Sequence, residues 1–363
     1  MSSSRQAARD ADASKAAATH VEASETAARH ADATGTAATH AHASEAAPGH
    51  PDASGAAAGQ AAKAAAVDAA DDYRKGESRI RRWSVGDVKI TSIMESAEPI
   101  SWSPQYPEDT ADHYKKYDWL VPRFVTPEGQ IILAVQAFVL EANGRRIVVD
   151  TCVGNDKSRE IPHCTDMQTA FLEDMASAGF PPDTIDTVLC THLHFDHVGW
   201  NTRLVNGRWA PTFPKARYLF ARREWEYCQQ LLKQDTLDVR HLLDSVQPIL
   251  DAGLADLVET NHRLSDEMWL EPTHGHTPGH VSLHISSRGQ DAIVTGDVFH
   301  NPIQIAEPEI ASMFCVDKEM SRKTRRELLS KYGNRAARLI AIHFNDPVGW
   351  IERETHNWRF TPE

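Results

Sequence analysis

The stretch Thr191-His192-Leu193-His194-Phe195-Asp196-His197 constrains this chain more than any other feature. It packs three imidazoles and a carboxylate into the six residues His192–His197, directly after the short apolar run from Ile185 to Cys190. Neutral imidazole and carboxylate are ligands that transition metals such as zinc select. Four such groups buried together without an ion would repel or desolvate one another. The plain alternative is a polar surface loop rich in histidine. It leaves unexplained the further metal-type residues downstream, which recur where a sheet would deliver them to the same point.

The first part of the chain is of another kind. Residues 11–60 repeat with a period of ten, and four consecutive blocks end in histidine. Alanine favours helix, yet Thr, Ser, Gly and Pro recur and no apolar stripe forms. Residues 1–75 therefore read as a disordered low-complexity tail, and 76–363 as one folded domain. His20, His30, His40, His42 and His50 could bind metal weakly, but passengers in a repeat are the simpler reading. No apolar run of about eighteen residues exists to span a membrane, and no apolar leader core is present, so cytoplasm is the default. Cys152, Cys164, Cys190, Cys228 and Cys315 are odd in number and unpaired by any CxxC spacing, which argues against a disulfide scaffold. A formal net charge of -13 disfavours nucleic acid as a partner. A small-molecule substrate is the natural target.

The body alternates strand and helix signals. Strands are expected at 88–94, 131–142, 146–150, 185–190, 217–221, 268–272, 281–287, 292–298 and 338–344, with a hairpin at Asn143-Gly144. Helices are expected at 166–178, 222–233, 236–250 and 320–332. Residues 96–130 read as a long excursion, either a surface loop or part of the active-site mouth or of the interface of a homodimer. This order suggests an α/β architecture of two sheets with helices outside. Arg322, Lys323, Arg325 and Arg326 read as a solvated helix face.

The candidate site follows from spacing. His192 and His194 are two apart, so an extended strand end presents both to one side. Asp196 and His197 lie beyond a turn. One ion held by His192, His194 and a distant histidine, and a second held by Asp196, His197 and another, is an economical arrangement. His280 is chosen for the first ion and His343 for the second, with Asp297 bridging; the latter two sit at strand exits. His276 either supports a ligand or pins a turn. His274, His284 and His300 read as structural, although His300 follows Asp297 closely enough to line a pocket. Trp200 reads as packing ahead of a wall for an aromatic substrate. Asp150 either orients a ligand histidine or bonds a loop. Cys190 reads as the last buried residue of a strand rather than a nucleophile.

The set HLHFDH at 192–197, TPGH at 277–280, GD at 296–297 and AIHF at 341–344 resembles the metallo-β-lactamase fold superfamily, over about residues 80–358. A long N-terminal approach, Asp at the bridging position and GHTPGH before a strand make it most similar to the lactonase and organophosphate-hydrolase branch. The resemblance implies a four-layer αββα sandwich with two Zn2+ ions at one edge of its sheets, although the donors also suit Mn, Co or Fe. It implies His192, His194 and His280 at one ion, Asp196, His197 and His343 at the other, and Asp297 between them. The implied reaction is attack of a bridging hydroxide on a small ester-like substrate, a lactone first, with Asp297 in the bridge and Asp196 as a proton shuttle. A phosphotriester, an aryl ester or a halogenated activated aromatic are alternative substrates. An iron-dependent oxidoreductase and a non-catalytic metal-binding protein are the alternatives of another class.

Overall fold

The run Ile131–Ala142 needs cover on both faces. Val135, Ala137 and Val139 enter one apolar layer and Phe138, Leu140 and Ala142 the next, the period of two expected of a strand. A sheet built on such a strand has to be sandwiched. The computed structural model describes residues 79–107, 110–234 and 239–363, so the expected tail at 1–75 lies outside the described residues.

Strands β1 (Ile80–Val85), β2 (Val88–Ile100), β3 (Ile131–Ala142), β4 (Arg145–Val149), β5 (Thr187–Leu189), β8 (Arg217–Ala221) and β9 (Ala255–Val258) form a seven-stranded sheet in that spatial order. A two-stranded hairpin, β6 (Thr202–Val205) and β7 (Arg208–Pro211), stands apart from it. Strands β10 (Met268–Pro272), β11 (Val281–Ser287), β12 (Gln290–Val294), β13 (Ala337–Ile340), β14 (Val348–Arg353) and β15 (Trp358–Pro362) form a six-stranded sheet in sequence order. Leu140, Ile147 and Leu189 of the first sheet share a buried layer with Leu283, Val294 and Ile340 of the second. The turn joining β3 to β4 has φ of 52° at Asn143 and 74° at Gly144, the double left-handed backbone of a tight hairpin.

Helices cover the outer faces. On the first sheet lie α1 (Phe171–Ser177), which buries Phe171 and Met175, the single turn α2 (Phe195–Val198), and α3 (Arg222–Leu231), which buries Trp225 and Cys228. On the second lies α4 (Lys318–Tyr332), burying Leu328, Leu329 and Tyr332. The layers are helix, sheet, sheet, helix, as the αββα expectation requires. No helix among the described residues is long and apolar enough to cross a membrane.

Three local expectations need correction. Strand β2 continues to Ile100, so the excursion starts later than residue 96; a bulge between Met94 and Ser96 carries the pairing onward. The helix expected over 236–250 is found from residue 240 to residue 251, but it widens to a π-helical turn at Leu242–Val246 just before Pro248, which has no N–H to continue the regular ladder. Arg325 is not on a solvated face. It is fully buried, its guanidinium donating to the Pro308 carbonyl at 2.9 Å and to Ser321 Oγ at 3.1 Å.

Helix α4 is tied to the second sheet through Glu271 on β10. This carboxylate accepts from Lys331 Nζ at 2.7 Å, Tyr332 Oη at 2.9 Å and His284 Nδ1 at 3.0 Å. Burial pushes its pKa up, but the bonds from His284, Lys331 and Tyr332 outweigh burial and hold it down at about 2. The folded state thus binds fewer protons than the unfolded chain between the ordinary value of 4.5 and about 2. The stability from this tie is complete above that window and is lost as pH falls through it. Glu271→Gln should therefore lower the melting temperature at neutral pH and flatten its decline towards about pH 3. Calorimetry at both pH values checks this, and an unchanged decline would refute it.

Candidate metal centre

The site is assembled at the carboxyl ends of two parallel strand pairs. In the first sheet β4 pairs with β5 in parallel, Val149 opposite Leu189, so Asp150 emerges beside the Cys190-Thr191 exit. In the second sheet β12 pairs with β13, Val294 opposite Ile340, so Asp297 and His343 emerge together. Such strand ends are where open α/β folds collect functional side chains.

Asp150 organises the first exit. Its backbone is left-handed, with φ of 55°, an uncommon conformation for a residue with a side chain. Its carboxylate accepts from Thr191 N at 2.7 Å and Thr191 Oγ1 at 2.8 Å, and holds His197 Nδ1 at 2.8 Å. Two more buried carboxylates brace the surrounding loops. Glu95 accepts from Val153 N at 2.7 Å and Trp200 Nε1 at 2.6 Å. Glu224, on α3, accepts from Leu193 N at 3.2 Å and Gly279 N at 2.9 Å, joining the two loops that carry histidines. Gly279 lies so close to α3 that a Cβ there would stand 2.2 Å from Glu224 N. Gly275, with φ of 128°, lies equally close to α4, and its Cβ would stand 2.3 Å from Ser321 N.

The donors converge in two groups. His192, His194, His276 and Asp297 form one, and Asp196, His197 and His343 the other, with ligand atoms in each group within 4.8 Å of one another. Asp297 faces both. Its Oδ1 lies 3.1 Å from His197 Nε2 and 3.0 Å from His343 Nε2, while its Oδ2 lies 3.2 Å from His276 Nε2 and 3.7 Å from His192 Nε2.

His280, expected as a ligand, is in neither group. Its Nδ1 meets Thr273 Oγ1 at 2.9 Å, and its Nε2 accepts the Asp297 N–H at 2.9 Å. With both ring nitrogens engaged, it orients the turn that carries Asp297. His276 takes the place expected for it. The spacing reading chose His280 and gave His276 only a supporting or turn-pinning part; the structure exchanges the two, with Gly275 and Gly279 seated closely against α4 and α3. His300, read as structural or as lining a pocket, does line it. It is buried, borders the same cavity, and hydrogen-bonds through neither ring nitrogen, although its Nε2 lies 3.2 Å from Asp297 Oδ2. Trp200 packs as expected, stacked on Phe171 at 5.8 Å. His284 is structural, through Glu271 and Tyr332.

The donor set fits metal ions. His197 is held at Nδ1 by Asp150, and His343 at Nδ1 by the Ala134 carbonyl at 2.8 Å, which leaves each Nε2 aimed into the site. That division of the ring is the one seen in metal-ligating imidazoles. His192 Nε2 and His197 Nε2 are buried without a hydrogen-bond partner, a costly state unless a cation sits against them. Burial and then neighbouring imidazoles hold His192 well below the ordinary range; burial holds His276 well below it and His194 at about 4, so all three are neutral donors. Burial also opposes charge on His197 and His343, but Asp297 and Asp196 outweigh it and push both upward. The carboxylates thus demand positive charge at this point. Cys190 is no rival nucleophile, since burial, then Asp150, raises its thiol well above its usual value.

Two adjacent groups of metal ligands facing one shared carboxylate, at the strand exits of an αββα sandwich, define a binuclear metal-dependent hydrolase. The chain belongs to the metallo-beta-lactamase superfamily, whose family model matches residues 132–343. An N-acyl homoserine lactonase of a Bacillus species is 25% identical over 202 residues, covering 50% of this chain and 73% of that protein. Another, from Bacillus thuringiensis, is 24% identical over 209 residues, covering 52% and 76%. Among solved structures, the hydrolase AbOPH of the beta lactamase superfamily superposes with a TM-score of 0.66 at 20% identity, over 79% of this chain and 98% of that one. AidC, a dizinc quorum-quenching lactonase, gives 0.64 at 17% identity, over 78% and 97%. At these identities the structural likeness is one of fold.

The geometry separates His276 from His280 by experiment. His276→Ala should retain about one divalent ion fewer per chain than the unsubstituted protein, as loss of a ligand to a three- or four-donor site requires. His280→Ala should keep its ions at roughly ten- to a hundredfold weaker affinity. Elemental analysis after dialysis against buffered metal distinguishes them, and the opposite ranking would reverse the assignment.

Proposed function

We propose that this protein hydrolyses the ester bond of a small, largely apolar lactone, with Zn2+ as the first choice for both ions and Mn, Co or Fe as substitutes. The observation that carries the reading is a cavity of about 390 Å³ that reaches both ligand groups and is otherwise walled largely by apolar side chains, Leu133, Val135, Leu193 and Phe195 among them. That size suits a small ligand, and such walls exclude water from the reacting bond. The Bacillus lactonases similar in sequence are a second, independent support for a lactone.

His192, His194 and His276 are proposed to hold one ion and Asp196, His197 and His343 the other, with Asp297 spanning them through its two oxygens. Bound ions of this kind supply Lewis acidity and bring a water molecule's pKa towards neutrality. Asp196 Oδ2 lies 3.7 Å from His197 Nε2 and 3.6 Å from His343 Nε2, and the side chain is 15% exposed, on the cavity side. It is placed to take the proton from the attacking water and return it to the leaving alkoxide. His300 borders the cavity with neither ring nitrogen hydrogen-bonded, its Nε2 3.2 Å from Asp297 Oδ2, and would donate to the substrate's developing negative oxygen.

Two outcomes are expected. The metal-loaded protein should open acyl lactones faster than it cleaves aryl esters, a phosphotriester, a β-lactam or a chlorinated aromatic nitrile, and His192→Ala should abolish that turnover. Selective turnover of another member of the panel would replace the lactone reading. His300→Phe should reduce kcat by roughly a hundredfold, the size of effect known for one lost oxyanion donor, without reducing metal content. A kcat within about twofold of the starting value would remove His300 from the mechanism.

A further inference from the structure

Among the described residues, three that border the cavity hold a buried polar atom with no hydrogen-bond partner: Asp297, His300 and Arg159. The first two face the ligand groups, where ions and a reacting oxygen would meet them. Arg159 has no such explanation. Its side chain is 3% exposed, and the atom left over is Nε, which can only donate. A buried donor without an acceptor is costly, and each one in a native structure calls for a reason.

The rest of the guanidinium is committed. Nη1 donates to Asp244 Oδ2 at 2.6 Å and Nη2 to Asp244 Oδ1 at 2.9 Å, the parallel fork that fits a carboxylate. Nη1 also donates to the Ser158 carbonyl at 2.9 Å. Asp244, on the turn Leu242–Val246, is outside the cavity lining and is shared with Lys157, whose Nζ lies 3.5 Å from its Oδ1. Burial lowers Lys157 to about 8, which leaves it charged at neutral pH. The loop that carries both cations is closed by its own backbone: Arg159 N donates to Thr165 Oγ1 at 3.0 Å and Asp166 N to the Lys157 carbonyl at 2.7 Å. Arg159 is therefore fixed at both ends, and its Nε–H cannot turn to another protein acceptor without breaking the fork.

We propose that Arg159 is a specificity-determining residue whose Nε–H donates to a neutral carbonyl oxygen carried by the substrate away from the ester bond that breaks. The chemistry selects a neutral acceptor over an anion. A carboxylate or phosphate would claim the fork, which Asp244 already fills, and it would meet Glu98 and Glu160 in the same cavity. A single carbonyl needs one donor and brings no charge. The amide of an acylamino group on the lactone ring supplies such an oxygen. The inference rests on the lactone reading above and adds that the ring substituent is read by its carbonyl.

The test compares two γ-lactones, one bearing an N-hexanoylamino group and one a hydrocarbon side chain of the same length. Both are given to the metal-loaded full chain and to Arg159→Lys. Lysine keeps a cation opposite Asp244 but places a methylene where Nε stood. A hydrogen bond from a charged donor contributes roughly tenfold or more to affinity. Arg159→Lys should therefore lose roughly tenfold more kcat/KM on the acylamino lactone than on the hydrocarbon one, with the difference lying in KM. Comparing the two proteins on each substrate cancels the unequal reactivity of the two rings. An equal change on both lactones, or none on either, would leave Arg159 a structural partner of Asp244 and overturn the proposal while the lactone reading stands. Turnover of neither lactone by the unsubstituted protein, with both ions bound, would overturn both. Should Arg159→Lys fail to fold, the unsubstituted protein decides: its KM should be roughly tenfold lower for the acylamino lactone, and equal values overturn the inference.

Discussion

The contacts of Asp150 underlie the rest of the centre. One buried carboxylate, on a left-handed backbone at the end of β4, holds the first residue of the ligand loop by its N–H and hydroxyl and one of the ligand imidazoles by Nδ1. It joins adjacent strands and sets the tautomer of His197 in the same act. A neutral replacement of the same shape would have to donate where Asp150 only accepts, and would leave a buried group unpaired. The loop that follows can then place His192 and His194 on its extended part and Asp196 and His197 on the helical turn α2.

Charge is arranged in the same way from the other sheet. Asp297 emerges from β12 with its two oxygens facing different groups, and its backbone N–H is fixed by His280. Burial works against its negative charge, but His197, His343 and the other imidazoles around it outweigh burial and keep it ionised, well below the ordinary carboxylate range. Neutral imidazoles on one side and anion-facing imidazoles on the other give a site with room for positive charge and little access to water. Those are the conditions under which divalent ions act as Lewis acids most strongly. The sheets themselves are apolar between their layers, so the polar machinery is confined to one edge, where the strands end.

Helices α3 and α4 do more than cover the sheets. Glu224 on α3 holds both histidine-bearing loops, and α4 receives Gly275 against its first turn while Arg325 binds carbonyls from the segment after Asp297. The wall that surrounds the substrate cavity is therefore continuous with the parts that position the donors.

Much of this was legible in the order of residues. The alternation of Ile131–Ala142, the Asn143-Gly144 turn, the run into THLHFDH, and the strand exits at Asp297 and His343 follow from local chemistry with periods of two and of about four. The order of strand and helix signals also pointed to two sheets with helices outside. It did not carry the inward face of GHTPGH, where the sequence pointed to His280 and the structure turns His276 to the other donors. That choice depends on how closely the backbone at Gly275 and Gly279 approaches α4 and α3, contacts made with residues distant in sequence. Nor did it carry the burial of Arg325, which follows from carbonyls brought to it by other segments. The sequence by itself determined which donors exist and that strand ends would present them; the tertiary structure decided which imidazole turns inward, because rotating a loop costs little until packing against its neighbours makes one orientation unavoidable.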